Sequence, residues 1–441
     1  MAPYVPDRAQ RRVLEHLDGS VLVAGGFGTG KTVTLRERFA RLVERTDPER
    51  VVLVVGSRRA RDEARSALLE RLDVALPRLN VVTIHGLAYH VVGERYAALG
   101  YDAPPTILSA AEQFARVREL LAGEDRRRWP AYGALLGLRG FADEVRQFVI
   151  RAQESLRSPE DLERAAAQRG LTGWSELARF LGEYLDVLDA ASEVDFAGLL
   201  VRASSAAGQG PPTFDHVMVD DFQDATLAGE ALIDALRPET LVIAANPEAH
   251  VFSFQGTTDA PLRRFVDRVD RIELETAHRA TPSTLEAWRA PHASEEHAAV
   301  ARELRRVHVE DGVAWRDLAV VVRRFGERTP GLLRALDDAG IPRSISSTGP
   351  PVTFPAIRPF LLALRWLIAP PEHRDALAES VLTSELGRVS PPAARTFLRL
   401  LRAHGHRRAD VLAHAELAPE PSDARELAHL GGILDRAGSR R

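Results

Sequence analysis

Among the 58 lysines and arginines of this chain there is one lysine, Lys31, and it sits in Gly25-Gly26-Phe27-Gly28-Thr29-Gly30-Lys31-Thr32. A chain that uses arginine at every other cationic position has kept a slim ammonium at one point. A loop that wraps a phosphate with main-chain N–H groups leaves a gap that fits an ammonium on a thin stem, whereas a planar guanidinium is too wide for it. The residues match the pattern Gly, four residues, Gly-Lys-Ser/Thr. Val21 to Ala24 reads as an apolar strand, and Val33 to Val43 as an amphipathic helix. Strand, glycine loop and helix in that order are what phosphate binding requires, because a helix N-terminus offers free N–H groups and the positive end of a dipole. The spacing therefore predicts a nucleotide site formed by residues 25–32. Lys31 would bridge the β- and γ-phosphates of a nucleotide there, and Thr32 would offer its hydroxyl to Mg²⁺. The alternative is a glycine-rich turn before an ordinary helix.

With 441 residues the chain is too long for one ordinary domain. The absence of cysteine excludes disulfides, cysteine-ligated zinc and iron–sulfur clusters. A net charge of −4 argues against broad basic nucleic-acid binding and leaves room for a local basic groove. No apolar run is long enough to span a membrane, and residues 1–6 lack signal-peptide architecture, so a cytoplasmic protein with no membrane partner is expected. Arginine is so common that Arg126-Arg127-Arg128 reads as a solvated face.

Short β-branched runs at Val51 to Val55 and Val81 to Thr83 alternate with helical stretches, the pattern of a parallel sheet. From Ile107 to Ala191 the spacing turns helical and β-branched runs become few, which predicts an inserted helical subdomain. Strand signals return at His216 to Val219 and Thr240 to Ala244, and again at Leu318 to Val322, which reads as a further buried strand. After Pro350 the chain is helical.

Val217-Met218-Val219-Asp220-Asp221-Phe222-Gln223-Asp224 is an apolar strand ending in acids. Asp at a strand end is common in turns. In an alternating chain with a phosphate loop upstream, however, such a carboxylate holds Mg²⁺ opposite the phosphates. With these residues the chain resembles the UvrD/Rep/PcrA branch of superfamily 1 DNA helicases. Gln10 resembles the glutamine that hydrogen-bonds adenine. Ser57-Arg58-Arg59-Ala60 and Thr83-Ile84-His85 stand where the family contacts single-stranded DNA. Val194-Asp195-Phe196-Ala197-Gly198-Leu199-Leu200 resembles an Asp-Phe-x-x-Leu-Leu stretch, and Asp220 to Asp224 resembles Asp-Glu-x-Gln-Asp. Asn246-Pro247-Glu248 with Val251 to Gly256 resembles the Gly-Asp-Pro-Asp-Gln segment and its aromatic continuation, and Leu274 to Arg279 resembles the Asn-Tyr-Arg motif. Val251-Phe252 and Leu382 to Gly387 are most similar to the actinobacterial AdnA-type subunit of a recombination helicase–nuclease.

The resemblance implies an α/β fold. Residues 1–105 and 193–275 form a RecA-like P-loop NTPase domain, with 106–192 as its helical insert. Residues 276–350 form an incomplete second RecA-like domain and 351–441 a truncated helical region. It implies ATP and Mg²⁺ as cofactors and single-stranded DNA as partner, in a 3′-to-5′ motor of repair or recombination. It assigns Lys31, Asp220, Asp221 and Arg279 to catalysis. Gln10, residues 25–32, His278 and Arg279 would bind ATP, with His278 near adenine in place of the family's tyrosine. Thr32 and Asp220 would hold the metal.

The departures matter as much as the matches. Asp221 replaces the catalytic glutamate, Ala249 the γ-phosphate-sensing glutamine, and Gln255 an arginine. Shortening a carboxylate by one methylene misplaces it by about 1 Å, which can cost ~10²-fold in rate. Nothing after Arg323 resembles the two closing motifs of the second motor domain. The expectation is then a natural truncation, a fragment, or part of a split machine whose second helicase or nuclease subunit supplies them. For DNA, Phe252 and Phe254 read either as base-stacking platforms or as core aromatics, His85 either as a DNA contact or as a packed helix-start residue, and Arg323 either as a phosphate contact or as a surface arginine. Two activities fit these residues: a motor with weakened or partner-dependent hydrolysis, or a non-hydrolysing accessory subunit that binds ATP and single-stranded DNA. A small-molecule kinase would leave Gln10, Thr83 to His85 and Leu274 to Arg279 unexplained.

Overall fold

The computed structural model describes residues 4–72, 79–250, 258–278, 287–323, 326, 329–345 and 357–438. Arg279, Phe252 and Phe254 lie outside them. The chain divides into two compact units, Met1–Leu285 and Glu286–Arg441.

The first unit is built on six strands: β1 (Gly19–Gly25), β2 (Val51–Val55), β3 (Val81–Thr83), β6 (His216–Val219), β7 (Thr240–Ala245) and β8 (Asp270–Leu274). All pair in parallel, in the order β3-β2-β6-β7-β1-β8. A parallel sheet is covered on both faces, so its inner strands are apolar without interruption. β2 is Val-Val-Leu-Val-Val and wholly buried. Alternate residues feed two separate cores. Leu22, Ala24, Val52, Val54, Val217 and Val219 face α4 (Ile84–Arg95), α9 (Phe196–Gly208) and α10 (Leu227–Leu236). Val21, Val23, Val51, Leu53 and Met218 face the Leu35, Phe39 and Val43 side of α2 (Lys31–Val43). β8 alternates exposed and buried residues because it is an edge.

A buried arginine fixes α1 (Arg8–Glu15) against α2. Arg38 is 1% exposed, and its guanidinium donates to the carbonyls of Val13 (2.9 Å) and Leu14 (3.5 Å) at the open end of α1. A cation there satisfies orphan carbonyls and complements the negative end of the dipole. Burial lowers the Arg38 pKa to about 10, so it stays charged at neutral pH. This contact sets where the first turn of α1, and with it Gln10, meets the phosphate loop.

Between β3 and β6 the chain forms α5 (Ala110–Gly123), α6 (Arg139–Glu154), α7 (Pro159–Arg169) and α8 (Thr172–Ala190), with their own core around Trp129, Phe180 and Tyr184. The two-residue strands β4 (Thr106–Ile107) and β5 (Glu193–Val194) pair in parallel where the insert leaves and rejoins the chain. Asp195, buried just beyond, accepts hydrogen bonds from Gln113 Nε2 (2.8 Å), Gln153 Nε2 (3.0 Å), Tyr184 Oη (2.8 Å) and the Gly198 N–H (2.7 Å). One carboxylate thus caps α9 and gathers three insert helices. Arg126 to Arg128 are exposed, with Arg127 paired to Asp125 and Arg128 to Glu183. The short helix α11 (Ala260–Val266) leads into the edge strand β8.

The second unit is helical. It comprises α12 (Ala293–Val309), α13 (Thr329–Asp338), α14 (Arg358–Ile368), α15 (Pro371–Thr383), α16 (Pro391–Ala403) and α17 (Pro421–Gly438). No strand occurs among its described residues. The strand expected at Leu318 to Val322 is not formed, and Val321 is 92% exposed. An apolar β-branched run becomes a strand when neighbours accept its N–H and C=O groups, and no described residue of this unit offers it a ladder.

Candidate nucleotide and nucleic-acid site

The loop after β1 is shaped by two glycines that tolerate no side chain. A Cβ on Gly25 would lie 2.6 Å from Thr29 Oγ1 and 2.9 Å from the Leu274 carbonyl of the neighbouring strand. Gly30 has φ +86°, and a Cβ there would meet Gln10 Nε2 at 2.7 Å. The left-handed turn at Gly30 starts α2, so the loop leads directly into the helix N-terminus. Lys31, buried in the first turn, donates from Nζ to the carbonyls of Gly25 and Gly26, each at 2.8 Å. Burial holds its pKa below the usual lysine value, and the charges of Asp220 and Asp221 offset this only in part. The Phe27 ring, 82% exposed, stands clear of the loop.

Gln10 lies against this loop and is 1% exposed. Its Oε1 accepts from the Asp7 N–H (3.1 Å), closing a capping box at the start of α1. Its Nε2 donates to the Thr29 carbonyl (3.3 Å) and lies 3.2 Å from His278 Nε2. The His278 N–H in turn donates to the Gly28 carbonyl (2.9 Å). Gln10 and His278, 268 residues apart, therefore flank the loop together.

Asp220 directly follows β6 and is 7% exposed. Burial raises its pKa to about 6 with help from the Asp221 charge, against the Thr32 hydroxyl, the Asp221 N–H and Lys31, which favour the ionised form. A buried carboxylate held beside a threonine hydroxyl at a phosphate loop is a hard oxygen set suited to Mg²⁺. That ion takes one or two protein carboxylates and completes its shell with water and phosphate oxygens. Among the described residues no group of three or more His, Asp or Glu forms a metal cage.

Asp221 adopts a left-handed conformation, φ 54° and ψ 41°, which aspartate tolerates better than most residues. Gln223 organises the segment beyond it. Its Nε2 donates to Asp221 Oδ1 (3.3 Å), its Oε1 accepts from the Asn246 N–H at the end of β7 (3.0 Å), and its carbonyl accepts from His250 Nδ1 (2.8 Å).

Beside the acids lies a cavity of about 510 Å³ at the C-terminal edge of the sheet, where open α/β sheets bind ligands. Ser57, Thr83 and His85 line it together with Asp220, Asp221 and Glu154 of the insert. Ser57 Oγ accepts from the Ala60 N–H (3.1 Å), and Thr83 Oγ1 from the Gly86 N–H (3.2 Å). Both hydroxyls cap helices, α3 (Arg58–Leu72) and α4, and each keeps its own proton to donate. His85 packs edge-on against Phe196 at 5.7 Å, and burial pushes its pKa below the usual value.

Residues 7–269 match the family model described as the UvrD/REP helicase N-terminal domain. The chain belongs to that family. Similar proteins include DNA helicase IV of Escherichia coli strain K12, 26% identical over 62% of this chain and 44% of that protein. UvrD2 of Mycobacterium tuberculosis strain H37Rv is 26% identical over 63% of this chain and 42% of its own length. The Rep helicase of Buchnera aphidicola is 19% identical over 56% and 36%. The matches span less than half the length of these relatives.

Within this UvrD/REP-type unit, the residues expected from sequence fall into two groups. Gln10, Gly25, Gly26, Phe27, Gly28, Thr29, Gly30, Lys31, Thr32 and His278 gather at the loop, with Asp220 against Thr32. Ser57, Thr83 and His85 share the neighbouring cavity with Asp221. Arg323 belongs to the second unit and is exposed. Sequence reasoning gives no role to Glu154, Gln223 or His250, which the structure places around the acids. Gln223 has a signal, since it lies inside the acidic motif. His250 comes directly after the Asn246 to Ala249 segment, and Glu154 carries no local mark. No described helix is long and apolar enough to cross a membrane.

Proposed function

We propose that the first unit is the nucleotide- and DNA-binding lobe of an ATP-dependent DNA helicase of the 3′-to-5′ type, acting on single-stranded DNA in repair or recombination. The observation that carries the reading is the convergence of Lys31, Thr32 and Asp220 at the end of a parallel sheet. In this reading the loop N–H groups and Lys31 bind the ATP phosphates and neutralise their charge. Thr32 and Asp220 hold Mg²⁺, which when bound would screen the phosphate oxygens and orient the γ-phosphoryl group. Asp221, fixed by Gln223, orients the attacking water. Gln10 and His278 face the adenine side, and Arg279 is assigned the transition-state charge. Ser57, Thr83 and His85 take the DNA strand, with Phe252 and Phe254 as further contacts, and Arg323 of the second unit is assigned separately to a backbone phosphate. The cavity lined by Ser57, Thr83 and His85 also touches Asp221, which supports DNA-stimulated hydrolysis. The test is phosphate release with and without single-stranded DNA, against a Lys31→Ala control. DNA-stimulated release above that control supports the reading, and its absence removes the motor.

Asp221 and Ala249 favour a second reading, in which a partner subunit of a helicase–nuclease assembly completes or replaces hydrolysis and this chain binds ATP and DNA. The double change Asp221→Glu with Ala249→Gln separates the two. A large gain in turnover means that this chain's own catalytic groups are limiting, whereas no gain favours the accessory role.

A further inference from the structure

The helical insert holds a cavity more than twice the size of the one beside the acids. It is a groove of about 1190 Å³ walled by α6, α7 and α8 and also lined by Leu227 of α10 and Thr258. Its floor is the edge of the insert core, with Val145, Ala152, Leu162 and Leu177, and at its mouth Leu135 and Trp174 are 38% and 41% exposed. Four arginines, Arg151, Arg157, Arg164 and Arg169, line it and are all exposed. Arg164 pairs with Asp161, while Arg157 and Arg169 have no ion-pair partner among the described residues.

Three features decide what chemistry fits. The volume exceeds the range of about 300–1,000 Å³ typical of small-molecule clefts. The floor is aliphatic, and the aromatic rings are turned on one another. Phe148 and Trp174 meet edge-to-face at 6.2 Å, and Tyr132 and Phe141 lie 5.4 Å apart. Edge-to-face pairing leaves ring faces open, so it is the aliphatic floor of Val145, Ala152, Leu162 and Leu177 that favours inserted apolar side chains. The excess of cations over the lining acids Glu144 and Asp161 calls for an acidic occupant.

We propose that this groove docks an amphipathic helical segment of an acidic protein partner, with an apolar stripe on the floor and carboxylates against the arginines. The groove is separate from the nucleotide loop, and the proposal does not depend on hydrolysis.

The test uses the full chain and three fluorescently labelled probes. One is an acidic amphipathic peptide of about 16 residues with Leu and Phe at i, i+4 and i+7, the second is its lysine-for-glutamate counterpart, and the third is an oligothymidylate of similar length. The acidic peptide is expected to bind at least about tenfold more tightly than the basic one. The double variant Arg157→Glu/Arg169→Glu, on exposed side chains, is expected to weaken it by about tenfold while leaving oligothymidylate affinity unchanged. Trp174→Ala should weaken it as well, with circular dichroism confirming that the insert keeps its helices. Equal binding of the two peptides, or an acidic-peptide affinity untouched by the arginine changes, overturns the proposal. So does loss of oligothymidylate binding in the arginine variant, which would make the groove a nucleic-acid track.

Discussion

β1, at Val21-Leu22-Val23-Ala24, and the run Leu318-Ala319-Val320-Val321-Val322 are alike in composition, yet they end in opposite states. The first is completely enclosed between β7 and β8, and its end launches the phosphate loop. The second forms no strand, and Val321 is solvated. The difference lies in the neighbours. β1 has a partner on each side and helices on both faces, so its backbone groups are paired and its side chains packed. The same chemistry with no ladder among the described residues is an exposed segment. Function obeys the same division, because a phosphate loop is rigid only when the strand that launches it is clamped.

That contrast can be broken by substitution. The largest effect is expected at Phe39, fully buried under β1. Phe39→Ala should cost about 3–5 kcal/mol in denaturant unfolding and abolish nucleotide binding. Phe397→Ala, equally buried in the second unit, should cost a similar amount in that unit's transition while leaving nucleotide affinity intact. If the two losses cannot be separated, the units do not unfold independently.

The stability of the first unit depends on pH through Asp220. Its carboxyl titrates at about 6 when folded and near 4 when unfolded, so in that window the folded chain binds more protons and stability falls as pH rises. Asp220→Asn should therefore stabilise the nucleotide-free chain by up to about 3 kcal/mol above pH 6, and by nothing below about pH 4. Denaturant titrations of both proteins across that range check the sign. Stabilisation at low pH only would contradict the burial argument.

Gly30→Ala places a Cβ at positive φ and against Gln10, and should cost about 1–3 kcal/mol, with a drop in nucleotide affinity read by fluorescence. The smallest effect belongs to the solvated run. Val321→Thr should change stability by no more than about 0.5 kcal/mol, while Val242→Thr in β7 should cost several times that.

The inner strands are legible in sequence because burial on both faces leaves uninterrupted β-branched runs. Edge strand β8, Asp-Arg-Ile-Glu-Leu, escapes such a reading because only Ile272 and Leu274 are buried. The phosphate loop and Asp220 are legible because their chemistry is local in sequence. Gln10 and His278 are brought to one place in the sequence reading only by the family resemblance, and the meeting of Glu154 with His85 in one cavity depends on how distant segments cross, which no spacing rule reaches. Leu318 to Val322 misleads for the complementary reason, since composition reports what a segment can pair with and not whether a partner is present.

Every nucleotide role assigned to the first unit requires Lys31, Thr32 and Asp220 to form a single magnesium-nucleotide site. Isothermal calorimetry of Mg-ATP into the full chain, beside Lys31→Ala of matched thermal stability, probes that directly. We expect saturable one-to-one binding that depends on magnesium and is weakened by at least about 100-fold in the variant. Equal affinity in the two folded proteins, or no binding in either, would contradict it.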